Sequence, residues 1–370
     1  MRSKSRIEDL KKQIQESNQP VIGVGPMSKS FVESIFKYSH QKERIIFIIA
    51  TRRQIEAKSL GHGYVNNWTT EQFSDYIKLL KKRYPKNRVF ICRDHGGLWQ
   101  GNNESMINYK KALNRALVSY ETDILSDFDI LHIDPSVHPK RKISNKTIIS
   151  RIKKIIFHCY NFAQKHNKEI TFEIGTEETN GCITNLNEFK SFIEEITLFC
   201  ESKNIIKPLF VVGQTGSLVK ELRQVGTFDF NNSKKLVDVC NKFNILFKEH
   251  NADYIAKYQL YLRRKAGIHA INVAPEFGVI ETKCFLDQCC EENKTDLIKE
   301  FMNLSIQSTK WKKWVINEKY VNNFDKSIMS GHYIFANEKF IKLKKKINLK
   351  HFNKKLEKEF FERLDFYNNK

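Results

Sequence analysis

No run of about 18 or more apolar residues interrupts this 370-residue chain, so nothing in it reads as a membrane span. Met1–Gln19 has neither the apolar centre nor the small-residue cleavage site of a secretory signal. It reads instead as a short charged helix with Ile7, Leu10 and Ile14 on one face. A cytoplasmic protein is expected. No C-x-x-C pair occurs among the eight cysteines, and Cys92, Cys159, Cys200 and Cys240 sit inside apolar segments, as reduced buried thiols do. The adjacent Cys289 and Cys290 lack the second pair that a soft-metal site needs. Linkers rich in Pro, Gly or Ser are missing, as are internal repeats. Acids are short by 21 charges, with 63 Lys and Arg against 42 Asp and Glu. Such a balance invites a nucleic-acid reading, but the lysines are spread over nearly every helix-like segment and no interleaved aromatic–basic motif occurs. Neither nucleic acid nor membrane is expected as a partner. The densest basic stretch, Lys342–Lys355, is at most a protein-contact surface.

What is present is a rhythm. Short β-branched runs recur at Val21–Val24, Ile45–Ile49, Val89–Cys92, Ile130–Ile133, Ile170–Ile174, Leu209–Val212, Ile245–Phe247 and Ile268–Val273. Continuous apolar runs of this length suit parallel strands buried on both faces. Between them lie segments of 3.6-residue periodicity: Phe31–Tyr38, Glu71–Tyr84, Met106–Tyr120, Thr147–Lys165, Asn187–Ser202, Ser233–Phe243 and Asp253–Arg264. Thr69 and Gln72 form a capping-box pattern before the second. Eight such units over about 270 residues predict an α/β fold, a (β/α)8 barrel, rather than an open doubly wound sheet. The dinucleotide fingerprint of the open sheet is also missing, since Gly23-Val24-Gly25 runs into Pro26. The expected division is a barrel with its N-terminal helix over residues 1–284 and a helical C-terminal extension packed on it over residues 285–370.

Functional residues of such barrels sit at the C-terminal ends of the strands. Those ends read Arg93-Asp94-His95-Gly96-Gly97, His132-Ile133-Asp134-Pro135-Ser136, Glu173-Ile174-Gly175-Thr176-Glu177-Glu178, Val212-Gly213-Gln214-Thr215-Gly216-Ser217, Lys248-Glu249-His250-Asn251-Ala252-Asp253 and Asn272-Val273-Ala274-Pro275-Glu276. Each alone is weak, because a lone strand-end His is commonly a satisfied structural residue. Together, histidines and carboxylates on one rim have the donor set of a divalent metal site. Gly216, Ser217, Asn251, Asp253 and Asn272, on the later strands, offer the amides, hydroxyl and polar groups expected to hold substrate or phosphate. Glu276 suits either a sugar hydroxyl or the cap of the next helix, and His269 reads as packed in the barrel.

From Val21 to Glu281 the chain resembles the class II ketose-bisphosphate aldolase superfamily. Within it, the chain is most similar to the family named for the non-catalytic subunit of D-tagatose-1,6-bisphosphate aldolase, which includes D-tagatose-6-phosphate 4-epimerases. Ile49-Ala50-Thr51, Gly61-His62-Gly63-Tyr64, Asp94-His95, Asp134-x-Ser136, Ile174-Gly175-Thr176-Glu177 and His250-x-x-Asp253-Tyr254 carry the resemblance jointly. It implies Asp94 as acid/base, His95 and His250 as metal ligands and Asn272 as a substrate contact. Aldolases carry another ligand histidine after the sixth strand, where this chain has Gln214. Coordination is then left to Gln214, Glu173, Asp134 or water, with Glu173 also a candidate catalytic carboxylate. The implied cofactor is a divalent cation, zinc first, with manganese and magnesium as alternatives.

Breaking C3–C4 of a ketose requires taking the C4 hydroxyl proton and holding an enediolate, which a Lewis-acid cation beside a carboxylate can do. The competing role for Asp94 is to orient His95. Retro-aldol cleavage followed by re-addition to the other aldehyde face inverts C4, so an epimerase needs the aldolase groups and a site that retains both fragments. The expected activity is 4-epimerisation of a ketose 6-phosphate of the tagatose/fructose type. A class II ketose-bisphosphate aldolase, or a catalytically silent partner of an aldolase subunit, are the alternatives. A phosphorylated ketose is the expected substrate; an aldolase subunit or a second copy is the candidate protein partner.

Overall fold

The computed structural model describes residues 5–175 and 181–368. Its first helix is α1 (Arg6–Glu16), followed by β1 (Val21–Val24), α2 (Lys29–Lys42), β2 (Ile45–Thr51), α3 (Thr70–Arg83), β3 (Arg88–Gly96), α4 (Tyr109–Leu125), β4 (Ile130–Ile133) and α5 (Asn145–Lys165). Then come β5 (Thr171–Ile174), α6 (Leu186–Ser202), β6 (Phe210–Val212), the two-residue strands β7 (Val219–Lys220) and β8 (Arg223–Gln224), and α7 (Phe230–Lys242). The chain continues through β9 (Leu246–Glu249), α8 (Lys257–Ala266), β10 (Ala270–Val273) and α9 (Pro275–Glu291). Eight parallel strands close into a barrel in the order β1-β10-β9-β6-β5-β4-β3-β2, with β7 and β8 as a separate hairpin. This is the (β/α)8 barrel expected from the alternation of β-branched and helical segments.

Local chemistry supports each unit. Ser28, Asn108, Ser144, Asn185 and Asp229 cap α2, α4, α5, α6 and α7 by accepting an amide of the first turn. Thr69 and Gln72 close the expected capping box on α3. Asparagine also works at the other end: Asn167, Asn204, Asn244 and Asn293 stand just past helix ends at left-handed φ of 53–55°, a conformation Asn tolerates better than most residues. Helix α9 begins on Ala274 and Pro275, neither of which caps it, and Asp253 Oδ1 supplies the acceptor by taking the amides of Ala274 and Glu276 at 2.9 and 3.0 Å.

Strand period 2 layers the barrel interior. At the floor, Phe47, Phe90, Phe210, Leu246 and Ala270 pack with Leu10 and Ile14 of α1, which plugs the N-terminal end. One layer higher, the inward positions carry Glu173 and Lys248. The top layer carries Asp94, His132 and Asn272, with His250 just beyond the end of β9.

Beyond the barrel lie α10 (Thr295–Gln307), a 3-10 turn at Lys310–Trp314, α11 (Asn323–Ser330), α12 (Glu338–Lys344) and α13 (Leu349–Asn368). Residue 284 falls within the unbroken α9, which closes the eighth unit, so the helical extension follows Glu291. Phe360 of α13 packs on Phe31 of α2 and Phe277 of α9, with ring centroids 4.7 and 6.3 Å away. Among the described residues, no helix is long and apolar enough to cross a membrane. All eight cysteines are free thiols; Cys289 is buried and its neighbour Cys290 exposed.

Candidate metal centre at the barrel mouth

A straight β3 would send Asp94 and His95 to opposite faces. Instead, the register with β4 slips between Arg93 and Gly96, and His95 takes a left-handed φ of 43°. Such a bulge re-aims a side chain, at a strain cost of order 1–3 kcal/mol for a non-glycine residue at positive φ. Close packing holds the bulge: a Cβ on Gly97 (φ 142°) would lie 2.4 Å from the Asp134 carbonyl oxygen. Arg93 faces outward and is anchored by Asp123 of α4 through two hydrogen bonds of 2.5 and 2.7 Å.

The bulge turns His95 toward His250 and His132. The three ring centroids lie 4.9, 5.1 and 5.4 Å from one another. His95 Nε2 faces His250 Nδ1 at 3.2 Å. The far nitrogen of each ring meets a carboxylate: His95 Nδ1 lies 2.7 Å from Asp134 Oδ2, and His250 Nε2 lies 3.1 Å from Glu173 Oε1. A carboxylate partner fixes an N–H on its own side and leaves the lone pair on the other nitrogen. Two lone pairs 3.2 Å apart repel unless a positive charge lies between them. Two imidazole nitrogens bound to one tetrahedral ion at 2.0–2.1 Å are about 3.3–3.4 Å apart, so the spacing fits a shared cation.

Electrostatics point the same way. Burial opposes charge on His95, but Asp94 beside it and the bond to Asp134 outweigh this and raise its pKa to about 9. Burial lowers the pKa of His250, so of the two facing rings His95 is the one that favours positive charge. Burial pushes Asp94 up, yet His95, His132 and His250 hold it well below the usual carboxylate range. Glu173 is likewise pulled to about 2, against burial, by Lys248, His132 and His250. Asp94, His132, Glu173 and His250 also form a buried group whose ligand atoms all lie within 4.8 Å of one another. Two buried atoms at this level have no hydrogen-bond partner, His132 Nε2 and Asn272 Oδ1. A set of imidazoles and carboxylates with orphaned polar atoms fits a borderline divalent cation.

The remaining expected residues take varied positions. Asn272 Nδ2 lies 3.5 Å from Asp94 Oδ1. Gln214 lines a small cavity with the three histidines, and its backbone amide donates to Thr184 Oγ1 at 2.7 Å. Asp134, expected among the ligands, accepts from His95, Gln100 and both the amide and hydroxyl of Ser136, contacts that suit a carboxylate orienting His95.

Several of the groups expected to hold substrate or phosphate make hydrogen bonds within the protein. The Gly216 amide donates to the Cys182 carbonyl, and Ser217 Oγ sits between Glu249 Oε1 and Arg263 Nη2 at 2.6 and 2.7 Å. The Asn251 carbonyl accepts from Gln224 Nε2, and Asp253 caps α9. Glu276 accepts from the Tyr254 amide and binds Arg363 and Tyr367 of α13 at 2.6 and 2.7 Å. His269 lies one residue before β10, where Nδ1 accepts the Phe247 amide. Thr176, Glu177 and Glu178 lie outside the described residues.

Two residues of the centre had no role assigned from sequence. His132 supplies a third imidazole, and its signal was its inward position in the fourth strand, paired in register with Glu173. Lys248 is fully buried, with Nζ 2.6 Å from Glu173 Oε2 and the Phe47 and Phe210 rings at 5.7 and 5.5 Å.

By sequence, the chain matches no protein-family model and no curated protein. Solved structures do match its fold. A probable tagatose 6 phosphate kinase from Sinorhizobium meliloti 1021 superposes with a TM-score of 0.72 at 14% identity, covering 94% of this chain and 99% of that one. The fructose-bisphosphate aldolase from Campylobacter jejuni gives 0.60 at 10% identity, covering 98% and 94%. The YdjI aldolase from Escherichia coli K12 gives 0.52 at 11% identity, covering 92% and 96%. At such identities the likeness establishes the barrel and its helical extension.

Proposed function

We propose that the protein makes and breaks the C3–C4 bond of a phosphorylated ketose, acting as a 4-epimerase of a ketose 6-phosphate of the tagatose/fructose type. The observation that carries this reading is the facing of His95 Nε2 and His250 Nδ1 at 3.2 Å beside an ionised Asp94, at the mouth of the barrel. Two solved structures that share the fold are described as aldolases, which supports the same class of chemistry.

A divalent cation, when bound, polarises the C2 carbonyl and stabilises negative charge on the C2 and C3 oxygens. His95 and His250 are the residues that would hold it, with His132 or Glu173 behind them, and zinc is the ion that two imidazoles suit best. Every other part belongs to the chain. Asp134 and Glu173 fix which nitrogen of each ring faces outward. Lys248 keeps Glu173 ionised from below. Asp94 accepts the C4 hydroxyl proton as C3–C4 opens and returns it on re-addition, with the Asn272 amide beside its Oδ1.

Incubation with D-tagatose 6-phosphate, D-fructose 6-phosphate and the 1,6-bisphosphates, followed by NMR, tests the reading. Interconversion of the monophosphates without triose release is expected. Triose release identifies an aldolase instead. No conversion, together with no divalent metal retained by the wild type and no loss on His95→Ala or His250→Ala, removes the proposal.

A further inference from the structure

The barrel mouth opens into a cleft of about 840 Å³ whose two ends differ in character. At the floor are Asp94, His95 and Asp134. The opposite wall comes from the helical extension, through Lys310, Lys313, Trp314 and Tyr333, with Arg53 contributed by the loop after β2. We infer that Arg53, Lys310 and Lys313 form an anion subsite that takes the phosphate ester of the substrate while its carbonyl end lies over the histidines. The ligand class follows from the proposed function; the subsite itself follows from the wall.

Three observations converge. First, none of the three cations makes an ion pair among the described residues, and the nearby carboxylates are engaged elsewhere. Glu221 pairs with Arg223 and accepts the Ile316 amide, and Glu318 faces Lys312. Lys313 is exposed to the cleft, with the positive charges of Arg53, Lys310 and Lys220 close by. Like charges crowded this way bind an anion without first losing a partner.

Second, the wall is fixed in place. The β7–β8 hairpin holds it through the Glu221 amide to the Trp314 carbonyl at 2.8 Å and Lys220 Nζ to the Lys313 carbonyl at 2.6 Å. Lys313 Nζ lies 4.6 Å from the Trp314 ring and 5.0 Å from the Tyr333 ring, and Tyr333 packs on Tyr64 at 4.7 Å. Those faces restrain a side chain that would otherwise lose much rotamer freedom on binding. Third, Gly216 and Ser217, where a barrel would ordinarily seat phosphate, are hydrogen-bonded within the protein.

The test titrates inorganic phosphate, D-fructose 6-phosphate and D-fructose into metal-loaded wild type, Lys313→Ala and Arg53→Gln by calorimetry, with metal content measured in parallel. The two variants lie on separate segments, the loop after β2 and the helical extension, so misfolding of one leaves the other informative. Each is expected to weaken both phosphate-bearing ligands about tenfold, leave the weak binding of D-fructose alone and retain the wild-type metal content. With turnover, the loss falls on KM rather than kcat. Unchanged phosphate affinity in both variants, or no phosphate binding to wild type, overturns the subsite. Loss of turnover with the tested sugars while phosphate still binds through these residues overturns the proposed reaction and keeps the subsite.

Discussion

Replacing Lys248 by Met isolates the ion pair beneath the histidines. The side chain is fully buried, and Met occupies similar volume without the charge, so the change takes the ammonium partner from Glu173 and leaves it only the histidines, rather than opening a cavity. Removing one partner of a buried pair costs about 3–5 kcal/mol, because the remaining charge keeps its desolvation penalty. With about 2.1 cal/mol/K of unfolding entropy per residue, 370 residues give on the order of 0.8 kcal/mol/K, so Tm should fall by about 4–6 °C. Circular dichroism melts in chelator measure this directly. The double variant Lys248→Met/Glu173→Gln should recover most of the loss, since it removes the stranded charge. A divalent cation, added in excess, should also restore Tm to the single variant by supplying positive charge next to Glu173 and binding only the folded state. A shift below about 1 °C, or a double variant no more stable than the single one, would refute the view that Lys248 serves to hold Glu173 ionised.

Asp253 gives a pH test. Burial, then Glu276, lifts its pKa from 3.8 to about 8, so the folded state keeps a proton that the unfolded chain releases near pH 4. Stability from this group is therefore full below pH 4, falls as pH rises to about 8 and is flat beyond. Asp253→Asn keeps the acceptor for the Ala274 and Glu276 amides and should gain on wild type by at least about 1 kcal/mol between pH 5 and pH 8.5, read from urea midpoints. A difference independent of pH counts against it. Tyr367→Phe removes the hydroxyl whose one O–H lies between the Ala252 carbonyl and Glu276 and should cost about 1–3 kcal/mol, with α13 more readily cleaved in limited proteolysis. Asp134→Asn should weaken divalent-cation affinity by about 10–100-fold in competition titration without abolishing it, the signature of a group that orients a ligand.

All eight barrel strands could be read from sequence because each is buried on both faces and shows as a β-branched run. Their ends could not. β3 continues through Arg93-Asp94-His95-Gly96, a polar stretch that reads as loop until the bulge and the outward Arg93–Asp123 pair are known. β9 runs on into Lys248 and Glu249, charged residues buried by partners distant in sequence, Glu173 and Arg263. The β7–β8 hairpin gave no signal because Glu221 and Leu222 occupy its left-handed turn at φ 49° and 61°, without the glycine or asparagine that normally marks one. His95, His250 and Asp94 were visible as strand-end residues. The commitments of Asp134, Ser217 and Glu276 were not, since each depends on partners that only the closed barrel and α13 bring near.

The resemblance to aldolases led to the expectation of a histidine where Gln214 stands, one imidazole fewer after the sixth strand, but period 2 places His132 across the mouth from His250. The difference is one of depth. His132 lies in the layer of Asp94 and Asn272, behind the His95–His250 pair, and its ring is tied to the bulge, since the His95 amide donates to His132 Nδ1 at 3.2 Å. The strained φ at His95 thus serves two ends: it brings the outer pair to ligand spacing and seats the third ring. A chain that kept His95 but lost the bulge would place that ring on the outer face of the strand. The chemistry of this centre therefore depends on Gly96 and Gly97, which let the strand slip, as much as on the histidines themselves.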